Sequence, residues 1–253
     1  MARQVGPVRF NGVIGDIVFY SAKGREFARR KPNITKERIA NDPAFAPTRQ
    51  NNAEFAKASR AGKELRMCLH PLICKGMDGR LVNRLNSALL KVLKSDPEGD
   101  RGQRNIMKGD ITKLDGFMFN TKVSLSGILL VKPQWRIART TGRVTTSLPE
   151  FIGDTMIKKR PGVTQCKIVT AVVALDLDKP ACVADFNSSP LIALNATEPE
   201  DIVIINKIPP GNGLPLMLII GLQMYYANEK SFRMSENDSY TPLEVMDVDI
   251  KGS

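Results

Sequence analysis

Leu214-Pro215-Leu216-Met217-Leu218-Ile219-Ile220-Gly221-Leu222 is the most apolar run of the chain. It is about half the roughly 18 to 20 residues that a membrane-crossing helix needs, so it reads as a buried strand. Pro210-Gly211-Asn212-Gly213 ahead of it supplies a turn, as does Thr141-Gly142 further upstream. Working outward, short apolar runs recur every ten or so residues, at 126–131, 134–139, 143–148, 164–175, 181–186, 201–208, 214–226 and 243–250. That spacing predicts an antiparallel, immunoglobulin-like β-sandwich over residues 119–253.

Towards the N-terminus the period changes. Phe55, Ala58, Gly62, Leu65, Leu69 and Leu72 recur at threes and fours, which predicts one amphipathic helix ended near Pro71. A second helix is predicted behind Asp78 as N-cap, with Leu81, Val82, Leu85, Ala88, Leu89, Val92 and Leu93 on one stripe. The charged, glycine-containing stretch 97–109 reads as a loop. Ahead of the helices, Ile17-Val18-Phe19-Tyr20 and Glu26-Phe27-Ala28-Arg29-Arg30-Lys31 read as a hairpin turning at Ala22-Lys23-Gly24-Arg25, with Pro32 as its stop. The expected fold is therefore α+β: an N-terminal β-hairpin and two amphipathic helices (residues 1–118), then the sandwich (119–253).

Charge is distributed unevenly along the chain. Residues 1–160 hold 31 Lys/Arg against 14 Asp/Glu, a balance of +17, and residues 161–253 hold 6 against 12, a balance of −6. A field of that sign attracts phosphates or an acidic protein surface. Its candidate carriers are Arg25, Arg29, Arg30 and Lys31 on the hairpin, Arg80, Arg84, Lys91 and Lys94 on the second helix, and Lys158-Lys159-Arg160. On a helix, successive turns set such groups about 5 to 6 Å apart, close to phosphate spacing.

The front half also resembles a known family. Phe10-Asn11-Gly12-Val13-Ile14-Gly15-Asp16-Ile17-Val18-Phe19-Tyr20, then Asn41-Asp42-Pro43-Ala44-Phe45-Ala46-Pro47-Thr48-Arg49-Gln50-Asn51-Asn52-Ala53-Glu54-Phe55, then Arg101-Gly102-Gln103-Arg104-Asn105, is similar to a family of uncharacterised proteins of the Bacteroidetes. The glycine hairpin followed by a Thr-Arg helix start more loosely resembles small proteins of prophage regions. Neither resemblance implies an activity.

Catalytic signatures are missing from the sequence. There is a single histidine, His70, and no nucleophile elbow, Walker motif, dinucleotide fingerprint or EF-hand spacing. Cys68-Leu69-His70 with Cys74 lacks a CxxC pair and a fourth ligand for zinc. The four cysteines, Cys68, Cys74, Cys166 and Cys182, are too scattered for a disulfide framework and read as reduced. With no apolar leader at residues 1–7, the expected location is the cytoplasm. The expected function is a non-catalytic structural or adaptor subunit with a protein partner or a second copy as its target. It needs no cofactor, metal, membrane or small-molecule substrate. A nucleic-acid-associated protein that grips DNA or RNA phosphates is the alternative.

Overall fold

The computed structural model describes residues 2–31, 34–74, 78–178, 182–228, 231–234 and 241–250, with 227–228 and 231–234 described in backbone alone. Compact units divide after Asn51. The first holds β1 (Ala2–Arg3), β2 (Gly12–Ile14), β3 (Ile17–Ala22), β4 (Arg25–Arg30) and a short helix α1 (Lys36–Asn41), capped by the Thr35 hydroxyl, which accepts from the Arg38 N–H at 3.1 Å. The strands are antiparallel in the order β1-β4-β3-β2. Lys23 (φ 51°) and Gly24 (φ 70°) both take the left-handed conformation that a two-residue type I′ turn demands, and they join β3 to β4 where the sequence predicts.

The second unit contains the helices and the larger sheets. Helix α2 (Ala46–Cys68) runs into it from upstream, and α3 (His70–Ile73), α4 (Leu81–Lys94), β5 (Gln134–Ala138), β6 (Arg143–Phe151), α5 (Gly153–Met156) and β7 (Val163–Ala174) follow. The chain continues through β8 (Val183–Ser188), β9 (Ile192–Ala193), β10 (Glu200–Lys207), β11 (Leu216–Asn228), β12 (Ser231–Met234) and β13 (Leu243–Asp249). One antiparallel sheet has the order β10-β6-β5; a larger one has β12-β11-β7-β8, with β13 also paired to β11 and β9 to β7.

Strands β7 and β11 are nearly continuous in apolar residues because both of their faces are covered. Val169, Ala171, Val173, Met217 and Ile219 share a cluster with Ala58, Leu65, Leu85 and Leu89 of the helices. The alternate residues, among them Ile168, Val172, Leu218, Ile220 and Met224, share another with Val144 and Leu148 of β6 and Ile202 and Ile204 of β10. The result is a helix layer, a six-stranded sheet and a three-stranded sheet. A helical layer thus covers the face that a two-sheet sandwich would leave to solvent. It also joins helices expected in residues 1–118 to strands of 119–253 in a single core.

Both flanks between the sheets are stitched by side chains. On one, Asn187 Nδ2 of β8 donates to the Ile205 carbonyl of β10 at 2.8 Å, and Asp185 Oδ2 accepts from the Lys207 N–H at 2.9 Å. On the other, Trp135 Nε1 of β5 donates to Asp247 Oδ2 of β13 at 2.8 Å. Next to it, Arg139 donates to the carboxylate and carbonyl of Asp249. The Ile205 and Asp249 carbonyls and the Lys207 N–H, which could otherwise template another strand, are thereby occupied.

Three expectations are corrected. The buried face of α2 holds Ala58, Gly62 and Leu65 as expected, together with Ala61, but it begins at Glu54 and leaves Phe55 exposed. Glu54 can be buried because its Oε1 accepts from the Gly102 N–H at 2.9 Å and from Arg104 at 3.1 Å. Arg80, not Asp78, is the N-cap of α4; Asp78 lies two residues earlier and accepts from the Arg80 N–H at 2.8 Å. Cys68 and Cys182 are joined in a disulfide, their Cα atoms 6.0 Å apart, while Cys74 is free and exposed and Cys166 is free and buried.

Candidate interaction surface

No described residue of 2–51 is buried. The register explains how a four-stranded sheet comes to lie so open. Paired residues of antiparallel strands project to one side, and successive residues alternate. One face therefore carries Val13, Val18 and Arg29 in a row, beside Tyr20, Phe27 and Arg3, with Arg25 opposite Ala22. The other carries Ile14, Ile17 and Arg30 in a row, beside Phe19 and Ala28, with Glu26 opposite Ser21 at the far end of the strands from Arg30.

The two faces differ in what their own side chains cover. On the first, the Arg29 guanidinium lies 5.6 Å from the centre of the Tyr20 ring, which stacks on Phe27 with centroids 5.7 Å apart. The ring of Tyr20 is thus taken up by a cation and an aromatic neighbour of the same sheet. On the second, Phe10 meets Phe19 with centroids 5.4 Å apart, and the apolar surface around them is bare: Phe10, Ile14 and Ile17 are 48%, 57% and 45% exposed. Arg25, Arg30 and Lys31 are exposed as well. Sequence reading singled out the cations and missed Phe10, Ile14 and Ile17; the available signal was alternation across β2 and β3 combined with the lack of any apolar stripe nearby to bury it.

In the second unit the cationic stripe of α4 is broken. Arg84 is half-buried; it donates to Asp78 Oδ2 at 2.5 Å and to the carbonyls of Met118 at 2.6 Å and Phe119 at 3.2 Å, and its guanidinium lies 5.4 Å from the Phe117 ring. Its charge is spent inside the molecule. Burial works against the Asp78 carboxylate, yet the backbone N–H groups of Thr121 and Arg80, the Thr121 hydroxyl and Arg84 together draw its pKa down to about 2. Arg80, Lys91 and Lys94 remain exposed. Lys91 and Lys94 sit in the last turn, where cations complement the helix dipole.

Neither a family model, nor a curated protein, nor a solved structure matches this chain.

The remaining predicted cations lie beyond β6. Lys158 is exposed, Lys159 pairs with Asp154 at 2.5 Å, and Arg160 is half-buried. An apolar cleft of about 310 Å³ lies among Leu125, Leu129, Leu130, Pro133 and Met246, with Glu244 as its one carboxylate. That carboxylate accepts from the Leu125 N–H at 3.4 Å. Among the described residues no group of three or more His, Cys, Asp or Glu is arranged to hold a metal ion, and no helix is long and apolar enough to cross a membrane.

Proposed function

We propose that this chain is a non-catalytic structural or adaptor subunit that assembles through its basic N-terminal face and its β-sandwich. One observation carries the reading: a four-stranded sheet with no buried residue among those described in 2–51, exposing phenylalanine and isoleucine beside arginine. Apolar sheet faces gain stability only when another layer covers them. Residues 1–51 also hold 10 Lys/Arg against 4 Asp/Glu, +6, which favours an acidic neighbour. The two antiparallel sheets around one apolar cluster support the immunoglobulin-like description of the remainder, and such modules mostly bind or assemble. Kinship with the Bacteroidetes family belongs to the same proposal and adds no activity to it.

The test is the mass of the protein purified from its native source, by size exclusion with light scattering at low salt. Assembly gives a mass above the 27.9 kDa of one chain. A strict monomer at high concentration overturns the reading.

Exposed Arg80, Lys91 and Lys94 favour the second reading, a nucleic-acid-associated protein. Against it stand the internal engagement of Arg84 and the covered ring of Tyr20. If it holds, affinity for DNA or RNA falls by orders of magnitude between about 50 and about 200 mM salt. A flat response removes it. The proposed cytoplasmic location loses one of its supports, since the Cys68–Cys182 bond favours an oxidising compartment.

A further inference from the structure

The two faces of the N-terminal sheet are not equivalent, and the difference indicates what covers the barer one. Arg29, Tyr20 and Phe27 occupy each other on the first face. On the second, Phe10, Ile14, Ile17 and Phe19 form a continuous apolar patch through the Phe10–Phe19 contact and the cross-strand pairs Ile14–Ile17 and Gly12–Phe19, and Arg30 ends the row. Resting on the assembly reading above, we propose that this second face docks an acidic, amphipathic segment of a partner protein. Its apolar side would lie on Phe10, Ile14 and Ile17, with its carboxylates reaching Arg30.

Charge selects this occupant over the same face of a second copy. Two N-terminal units meeting through this face would bring +6 against +6, whereas an acidic segment is drawn to the same field. The chemistry of the patch also selects it over a nucleic acid. Its two rings, Phe10 and Phe19, lie against each other, and Ile14 and Ile17 beside them are aliphatic groups on which a base does not stack. An amphipathic segment matches both features, because it supplies apolar side chains at regular spacing and keeps its charges on the flank.

The experiment uses the full chain and a labelled synthetic helix-forming peptide of about 20 residues, with leucines on one side and glutamates on the other, read by fluorescence anisotropy. Binding is expected. The double variant Ile14→Asp/Ile17→Asp should weaken it at least about tenfold, as for removal of a central apolar anchor. Arg30→Glu should weaken it about threefold or more by reversing a rim charge. Val13→Thr, on the opposite face, should change it by less than about twofold. All four positions are exposed, so circular dichroism should show the fold retained, and Arg30→Glu stands as a test even if the double variant loses the sheet.

Several outcomes overturn the proposal. One is no peptide binding, or binding that ignores Ile14, Ile17 and Arg30. Another is a doubled mass by light scattering, without peptide, that the double variant abolishes; the occupant is then a second copy. A third is tight binding to phosphatidylserine vesicles or to oligo-dT, lost in the double variant, with no binding to the peptide. A chain that assembles in its native source but whose peptide affinity ignores this face loses the docking proposal and keeps the assembly reading. A native-source monomer that binds the peptide through this face does the reverse.

Discussion

A carboxylate that accepts from two backbone N–H groups, a hydroxyl and a guanidinium, as Asp78 does, stays charged well into acid. Its folded pKa of about 2 lies below the ordinary 3.8, so its stabilisation is complete above about 3.8 and is lost as pH falls from there towards 2. Chemical unfolding followed across that interval should show a loss of stability that is smaller in Asp78→Asn. Removing the guanidinium has a different cost. Arg84→Ala takes from the partly buried Asp78 carboxylate its one cationic donor, and from two carbonyls their guanidinium donor, and should lower stability by about 2–3 kcal/mol in urea titrations. Lys91→Ala, at an exposed position of the same helix, should stay within about 0.5 kcal/mol. Cysteines separate just as sharply: burial pushes the Cys166 thiol up to about 12, so a thiol reagent at neutral pH should label Cys74 and spare Cys166 until the chain unfolds.

At the scale of elements, what decides stability is how many faces a strand buries. Leu218 of β11 points between the two sheets and is wholly buried, so Leu218→Ala should cost about 3–4 kcal/mol, measured by equilibrium unfolding. Val203→Ala, at an exposed position of β10, should cost little. The same distinction governs what could be read from sequence. β11 and α4 announce themselves, one by an unbroken apolar run and the other by the stripe Leu81, Leu85, Leu89, Val92, because their burial patterns are local. The choice of Glu54 over Phe55 at the start of the buried face of α2 is not local. Glu54 turns inward for partners at Gly102 and Arg104, about fifty residues away, and drives Phe55 out. Arg84 is hidden for the same reason, through Met118, Phe119 and the Asp78–Thr121 pair. The cations of the hairpin were legible by residue type, but which of them share a face with Ile14 and Ile17 depends on strand register, and register depends on the turn.

For the whole molecule, the central sheet links the helices to the outer sheet, since β7 and β11 contribute alternate residues to both clusters. Loss of either layer strips one face of the same strands, so residues 52–253 should unfold in a single transition by both far-ultraviolet dichroism and Trp135 fluorescence. The Cys68–Cys182 bond gives the molecule a further property, seen under tension. It closes a covalent loop between cysteines 114 positions apart in sequence, from the end of α2 to the threshold of β8. A subunit pulled by its two ends could unravel the rest of its chain, but that loop would contribute no length until a reductant opened it. At about 3.5 Å per residue the withheld extension is on the order of 400 Å, a reserve that single-molecule stretching with and without dithiothreitol would read directly.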